Sequence, residues 1–386
     1  MSCVSMAEYF FIKSSVIRFA CQRIGLLYSE VALKPNLKNL QKEDNGFVKL
    51  TMHQLEALSK ILKYPLTYLM LKEPVTDIDD LPIADFRTVS NSKVHSSITL
   101  CEQIEYCQNQ QQWFSDYVKD DYEPFSLIGK FKTFESAEAA ANKARLALGI
   151  TFKGFKDPKK YLANIKEKLE ENLILVSISK VLKNTTTRLQ LSEFRGFALT
   201  DSYAPFVFIN GNDALSAQIF TLCHELGHIC LGLSGVSDVS SKNKAVPEIW
   251  CNEFAANFLM PKEEFSNDFK NADFLDDFIE FAKGKYFVSS LAILIRLYNL
   301  NLISKECFNE SFAKAKAQYQ KLLSSKLENK ESSGGNYYRT VGSRLSALLT
   351  RTLIDATSVG KTTFRDATYL LGLGSVSVFD KLAKRY

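Results

Sequence analysis

At 386 residues the chain is long enough for two or three domains, with cores that need no disulfide staples. Its 46% hydrophobic and 24% charged residues are typical of a soluble globular protein, and no apolar stretch approaches a membrane span, which excludes a membrane-spanning chain. The net charge of +5 is spread along the sequence, so it permits contact with nucleic acid without indicating it.

Cysteine usage and the N-terminus indicate the cellular compartment. The eight cysteines are scattered with no Cys-x-x-Cys pair, which predicts reduced, mostly buried thiols. Residues 1–11 lack a basic region, a long apolar run and a small-residue cleavage site. We therefore expect no signal peptide and a cytoplasmic protein.

Residues 10–73 predict a small helical domain. Helices are expected over 15–23 and 50–63, with a shorter one around 37–42. This layout resembles a Cro/repressor-type helix-turn-helix domain. The resemblance rests on Arg23-x-Gly25-Leu26 and Gln54-Leu55-x-x-Leu58-x-x-x-Leu62.

The predicted middle helix of this domain supplies candidate DNA contacts. Lys38 and Lys42 would reach phosphates, while Asn39 and Gln41 would reach base edges. Pro35 interrupts the helix, so the alternative is a helical protein-interaction module that no longer reads DNA.

Residues 74–95 predict a linker, because Pro74 is followed by an acidic run. After the linker, hydrophobic periodicity indicates an alternation of helices and then strands. The helices are predicted over 96–122, 136–148 and 161–171, and the strands over 173–179, 194–199 and 205–210. The last two strands would form a hairpin.

The helix predicted over 214–231 carries His-Glu-Leu-Gly-His at 224–228. Residues i and i+4 share a helix face, so His224 and His228 can bind one ion, and Glu225 can reach a water on that ion. Two imidazoles and a carboxylate base are the core of a zinc hydrolase site. The chain has only four histidines, which makes a chance match uncommon.

A catalytic zinc site needs a third protein ligand and keeps one position open. No histidine follows His228 in the sequence. The third ligand should therefore be a carboxylate or, as a weaker alternative, Cys230 or Cys251.

The next predicted helix, over 247–260, offers two carboxylates. Glu248 lies in its first turn, and small, partly polar residues continue its face, as packing against the metal helix would require. Glu253 points away from that face and is the competing ligand. Asn252 could hydrogen-bond a histidine ligand from behind.

The motif at 224–228 resembles the ImmA/IrrE family of zinc metallopeptidases. The resemblance extends over Glu248-x-x-Cys251-Asn252-x-Phe254-Ala255-Ala256 and Phe258-Leu259-Met260-Pro261. It implies a Glu-zincin peptidase fold in which His224, His228 and Glu248 bind Zn²⁺ and Glu225 is the general base. It also implies a protein substrate, namely a transcriptional repressor or an antitoxin-like regulator.

Zinc peptidases commonly hold an extended substrate against a sheet edge beside the metal helix. We therefore expect one strand of the hairpin at 194–210 to be that edge. Arg195 and Tyr203 are the nearest candidates to stabilise an oxyanion. Residues 287–297 resemble the helical segment that follows the peptidase core in this family, and should shape one wall of the cleft or a surface for a partner.

The expected fold class is α+β and mainly helical, with a zincin-like core and a small sheet over 96–265. Helices over 266–328 extend this core, a Ser- and Gly-containing linker follows at 329–336, and residues 337–386 form a C-terminal helical domain. Within that domain, residues 363–385 could form a small helix-turn-helix.

The expected function is a zinc-dependent endopeptidase that cleaves a protein substrate. The alternative is a DNA- or partner-binding transcriptional regulator whose zincin domain acts as a sensor or scaffold. No membrane partner is expected in either case.

Overall fold

A computed structural model of the chain describes residues 9–23, 26–62, 64, 66–74, 84–85, 98–151, 154–183, 185–237, 246–328 and 344–385. Apart from residues 74, 84 and 85, the predicted linkers at 74–95 and 329–336 lie outside these residues. The chain divides into two compact units. Residues 1–82 and 93–101 form the first unit, and residues 83–92 and 102–386 form the second.

The first unit combines a two-stranded antiparallel sheet with short helices. Strands β1 (Tyr9–Lys13) and β2 (Phe47–Thr51) pair along their whole length, with Phe11 opposite Lys49. Around them lie α1 (Ser14–Arg23), α2 (Tyr28–Ala32), a 3-10 helix (Pro35–Gln41), α3 (Met52–Leu62) and α4 (Leu66–Leu69).

The sheet of the first unit corrects the sequence prediction. The helix expected over 50–63 begins only at Met52, because residues 47–51 form β2. Val48 and Leu50 are buried between exposed neighbours, which is the period-two pattern of a half-buried strand. The expected middle helix is the 3-10 helix, and Pro35 occupies its first position, where a proline is tolerated.

The second unit is built on a five-stranded mixed sheet in the order β3-β7-β5-β6-β4. Strand β5 pairs antiparallel with both of its neighbours, whereas β4 is parallel to β6 and β3 is parallel to β7. The strands are β3 (Ala84–Asp85), β4 (Leu175–Ser179), β5 (Gly196–Leu199), β6 (Phe206–Asn210) and β7 (Gly235–Ser237).

The predicted hairpin is confirmed as β5 and β6, but the expectation that one of them is a sheet edge is wrong. Each has a hydrogen-bonded strand on both sides, and the outer strands of the described sheet are β3 and β4. The sequence did not reveal this, because β5 gains its second neighbour, β7, only after the long helix that follows β6.

Twelve helices of the second unit are described, and they make the fold mainly helical, as predicted. They are α5 (Ile98–Val118), α6 (Ala137–Leu148), α7 (Pro158–Glu170), α8 (Leu215–Leu231), α9 (Val246–Leu259), α10 (Lys262–Lys270), α11 (Leu275–Tyr286), α12 (Ser290–Asn299), α13 (Lys305–Glu328), α14 (Ala347–Ser358), α15 (Phe364–Leu370) and α16 (Val376–Ala383). No helix in the described part of the chain combines the length and apolar composition that a bilayer span requires.

Helix α8 is the centre of the second unit. It packs on β5 and β6 on one side and on α9 on the other, and nearly every residue from 218 to 231 is buried. Gly227 allows α9 to approach closely, because a Cβ there would lie 3.2 Å from Cys251 Sγ and 3.3 Å from Phe254 Cδ1. The glycine inside the motif therefore sets the spacing between the two helices that carry the candidate site.

Helix α6 supports α9 from the other side. Its N-cap is Ser136, whose hydroxyl accepts a hydrogen bond from the Ala139 amide, and it ends at Gly149 in the left-handed conformation. Ala140 and Ala144 are fully buried on one face. Their short side chains let α6 and α9 pack closely, so α8 and α9 lie within a layer of helices.

Candidate metal centre and adjoining cleft

His224 and His228 lie one turn apart on α8 and point to the same place. Their Nε2 atoms are 3.2 Å apart. Only 5% of His224 and none of His228 is exposed to solvent. The i, i+4 spacing thus produces the convergence that the sequence predicted.

Glu248, from the first turn of α9, completes a triangle with the two histidines. Its Oε2 lies 3.3 Å from His224 Nε2, and its Oε1 lies 3.1 Å from His228 Nε2. The ligand atoms of these three residues all lie within 4.8 Å of one another. We call His224, His228 and Glu248 the metal triad.

The metal triad fits the donor set of a zinc centre. Two imidazole nitrogens and one carboxylate oxygen are the protein ligands of many catalytic zinc sites. Bond lengths of 2.0–2.1 Å in tetrahedral geometry would separate ligand atoms by roughly 3.3 Å. The 3.2 Å between the two Nε2 atoms agrees with that value, and each Glu248 oxygen lies at a similar distance, 3.1 or 3.3 Å, from one of the two nitrogens.

The charges of the metal triad favour a bound cation. Burial would raise the pKa of Glu248, but its hydrogen bonds with His224 and His228 lower that pKa to about 2. Burial also opposes protonation of His224, yet the hydrogen bond to Glu248 and the charge of Glu225 outweigh it and raise the His224 pKa. Burial lowers the pKa of His228, and so does the charge of His224. Together they outweigh Glu248, which raises that pKa.

Glu225 lies beside the metal triad and is fully buried. Gly196, the first residue of β5, faces it so closely that a Cβ there would lie 3.1 Å from Glu225 Oε1. The same Cβ would lie 2.7 Å from Thr221 Cγ2 and 2.9 Å from the Phe208 carbonyl oxygen. A side chain at this point of β5 would therefore force a shift of Thr221 or of β6, both of which lie next to Glu225.

The structure distinguishes between the other candidate ligands. Glu253 is exposed and lies outside the metal triad. Cys230 and Cys251 are buried but are also outside it, and burial raises the pKa of both thiols, which opposes the thiolate that a metal would need. The Asn252 side chain hydrogen-bonds His224, as proposed from its position one turn after Glu248.

A cleft of about 570 Å³ opens next to Asn252 between α8, α9 and α12. The segment 287–297, expected to shape a wall of the catalytic cleft or a partner surface, forms one wall of this cleft, because α12 contributes a third of its lining. The metal triad is not among the lining residues. The lining residues are Arg195, Ser216, Ala217, Phe220, Ile249, Asn252, Glu253, Ala256, Met260, Ser289, Leu291, Ala292, Ile295, Arg296 and Asn299.

The two oxyanion candidates occupy different places. Arg195 lines the cleft, and its Nη1 lies 3.4 Å from Asp213 Oδ2 at the start of α8. Tyr203 lies in the connection between β5 and β6, where its amide donates to Asp201 Oδ1, and it does not line the cleft. Arg195 is thus the candidate that the fold places near the centre.

Of the four candidate DNA-contacting residues of the first unit, two are exposed lysines and two make hydrogen bonds within the unit. Lys38 and Lys42 are exposed. The Asn39 amide donates to Gln54 Oε1, and the Gln41 amide donates to the Ala32 carbonyl. Asn39 and Gln41 therefore hold the 3-10 helix in place and would have to release these bonds to reach bases.

Sequence reasoning did not identify Gly196 as a site residue. The available signal was a glycine inside an apolar strand, which often marks a close approach of another group. That signal does not say which group approaches, because the pairing of β5 with its neighbours and with α8 is non-local.

Comparison with known proteins gives two matches along the chain. Residues 345–385 match the model of a domain of unknown function. No curated protein and no solved structure matches the chain. Residues 180–298, which contain the metal triad and Glu225, match a peptidase family model described as the IrrE N-terminal-like domain, and this match supports a metallopeptidase-type domain of the ImmA/IrrE family.

Proposed function

We propose that this protein is a zinc-dependent endopeptidase of the Glu-zincin type. The observation that carries the proposal is the metal triad, whose three ligand atoms converge from two packed helices inside the matched peptidase region. His224, His228 and Glu248 would hold Zn²⁺. When bound, Zn²⁺ polarises the scissile carbonyl and lowers the pKa of a coordinated water.

The residues of this chain provide the rest of the mechanism. Glu225 follows His224 directly and would take the proton of the attacking water and deliver it to the leaving amine. Its complete burial keeps bulk water from competing for that proton. Asn252 orients the His224 ring through its hydrogen bond, and Arg195 at the cleft would stabilise the negative charge that develops on the carbonyl oxygen.

The replacement Glu225→Gln tests the catalytic base. We expect unchanged zinc content and cleavage at least 100-fold slower, because general acid–base catalysis contributes roughly 10²–10⁴-fold. The assay would follow fragments of labelled casein and of co-expressed repressor-type regulators by mass spectrometry. Cleavage at the wild-type rate by the zinc-loaded variant would refute the mechanism.

Metal analysis tests the ligand set. Mass spectrometry of purified protein should find about one zinc per chain in the wild type and little in Glu248→Ala, because removing one of three ligands destroys the site. Glu253→Ala is the matched control on the same helix and should keep its zinc. Zinc retained in Glu248→Ala and lost in Glu253→Ala would reverse the assignment.

The substrate that we propose is a cytoplasmic protein, either a transcriptional repressor or an antitoxin-like regulator, as the family resemblance implies. The seven cysteines among the described residues are all free thiols, which supports a reducing compartment.

DNA binding by the first unit is the second candidate function. Its support is the exposure of Lys38 on the 3-10 helix and of Lys42 directly after it. Because Asn39 and Gln41 are engaged internally, contact through phosphates is favoured over base reading. A DNA titration at low and high salt tests it, since phosphate contact requires binding that weakens steeply with salt.

A further inference from the structure

The cleft beside the metal triad continues the helix faces that carry the ligands. Ala217 and Phe220 line it, and they lie seven and four residues before His224, on the same face of α8. Asn252 lines the cleft as well and hydrogen-bonds His224. A group bound in the cleft would therefore lie next to the atoms that are cut.

The walls of the cleft are mainly apolar, and its buried cation, Arg296, already donates hydrogen bonds to other protein groups. The Arg296 guanidinium donates to Asn257 Oδ1 at 2.6 Å and to the Met260 carbonyl at 2.9 Å. Nε and Nη2 of Arg296 are engaged in these bonds, which hold the guanidinium against the C-terminal end of α9. The surrounding walls are apolar side chains, namely Ala217, Phe220, Ala256, Met260, Leu291, Ala292 and Ile295.

Polar groups lie around the apolar walls. Arg195 is held in place by Asp213, while Asn252 and Glu253 are exposed on α9. A guanidinium can donate to a peptide carbonyl, and an amide or carboxylate oxygen can accept from a peptide N–H. An apolar cavity of about 570 Å³ with a few such polar groups lies within the size range of pockets that bind specific ligands.

We propose that this cleft is the specificity site for a bulky apolar side chain, aromatic or large aliphatic, of the polypeptide next to the bond that is cut. The inference rests on the proposed peptidase function, because the metal triad defines where that bond lies. A polypeptide is the occupant that fits best, since the cleft joins apolar walls to groups that can bind a backbone, and one of its lining residues, Asn252, hydrogen-bonds His224 of the metal triad. Ala256 and Ala292 set its capacity, because a larger side chain at either position would fill it.

The test is a ligand-observed NMR titration of full-length protein with three probes: N-acetyl-phenylalaninamide, N-acetyl-leucinamide and N-acetyl-asparaginamide. We expect the first two to bind and the third to bind at least about tenfold more weakly. Ala292→Trp should weaken binding of the first two by about tenfold, equivalent to about 1.4 kcal/mol. Ala313→Trp makes the same change at an exposed position of α13 outside the cleft and should leave binding unchanged.

Each contrary outcome overturns the proposal. Equal binding of the three probes would show that the cleft does not select apolar side chains, and binding unaffected by Ala292→Trp would place the probes elsewhere. Analytical ultracentrifugation would reveal another occupant. If the wild type were a dimer and Ala292→Trp a monomer, the cleft would bind a second copy of the chain and the proposal would fail. No cleavage is measured, so these results bear on the cleft alone, whereas Glu225→Gln bears on the peptidase function alone.

Discussion

Gly196 shows how one residue without a side chain shapes the candidate centre. It is the first residue of β5, and the space that its Cβ would fill is occupied by Thr221, by the Phe208 carbonyl and by the Glu225 carboxylate. Glu225 is thereby confined between the sheet and the metal helix. Its position relative to the metal triad depends on a residue 29 positions earlier in the sequence.

Gly196→Ala should therefore displace Glu225 without removing any ligand. A Cβ at 2.7 Å from Thr221 Cγ2 and 2.9 Å from a backbone oxygen forces a local shift. Because a displacement of about 1 Å can cost roughly 100-fold in rate, we expect cleavage to fall by about that factor while zinc content is kept. Steady-state kinetics together with metal analysis measures both.

Gly284→Ala is the control for this glycine substitution. Gly284 lies within α11, and a Cβ there meets nothing within 4 Å. Alanine favours helix over glycine by up to about 1 kcal/mol, so this variant should be at least as stable as the wild type and fully active. A similar loss of activity in both variants would contradict the steric role of Gly196.

At the residue scale, the histidine pair and its carboxylate were predictable from the sequence because they depend on local helix geometry. His224 and His228 share a face at i, i+4, and Glu248 follows from the same reasoning on the next helix. The distances between Glu248 and the histidines depend on the packing of α9 on α8, and the role of Gly196 depends on the position of β5. Both depend on contacts between segments that are distant in sequence.

At the element scale, Glu170 joins the C-terminal helices to α7. It lies at the end of α7 and is 8% exposed, and its two carboxylate oxygens accept from the Ala347 and Leu348 amides at the start of α14. Lys166, one turn earlier, donates to the Leu345 carbonyl at 2.7 Å. The carboxylate thus caps a helix N-terminus, where a negative charge is favourable.

Glu170→Ala should loosen this attachment. Two partly buried amides lose their acceptors, and an unsatisfied buried group costs roughly 1–3 kcal/mol, so we expect a destabilisation of about 1–2 kcal/mol. Hydrogen exchange followed by mass spectrometry should show that residues 344–358 exchange faster in this variant than in the wild type, while α8 exchanges at the wild-type rate. Glu167→Ala, an exposed position on the same helix, should change neither the unfolding midpoint nor the exchange.

Equal exchange of residues 344–358 in Glu170→Ala and Glu167→Ala would show that the cap does not hold α14. Faster exchange across the whole second unit would instead show that α14 is part of its folding core.

Helices with strong local periodicity were predicted well, whereas features that depend on strand pairing between distant segments were not. Helix α6 begins after Ser136 and ends before Gly149, both readable as capping signals. Strand β2 escaped prediction because its five residues run directly into α3. The edge-strand expectation was wrong because strand order is set by non-local pairing.

At the scale of the whole molecule, residues 221–231 of α8 are buried. The sheet covers one face, and α9 and α7 cover others, so Cys223 and Cys230 are removed from solvent together with the metal triad. Burial raises the pKa of Cys230 to about 12 and that of Cys223 further still. The reactivity of these thiols therefore measures how far solvent can reach α8.

Alkylation at pH 8 should follow this burial. Burial also raises the pKa of Cys107 to about 12 from the ordinary thiol value of 9.0, so the reactive thiolate is roughly a thousandfold scarcer at pH 8 than in an exposed thiol. Iodoacetamide should accordingly label the half-buried Cys101 and Cys307 first, and should reach Cys107 and Cys230 only after urea unfolds the chain. Peptide mapping over time measures the order. Rapid labelling of Cys230 in the native protein would mean that α8 is open to solvent, and the closed environment on which the proposed chemistry of Glu225 depends would not exist.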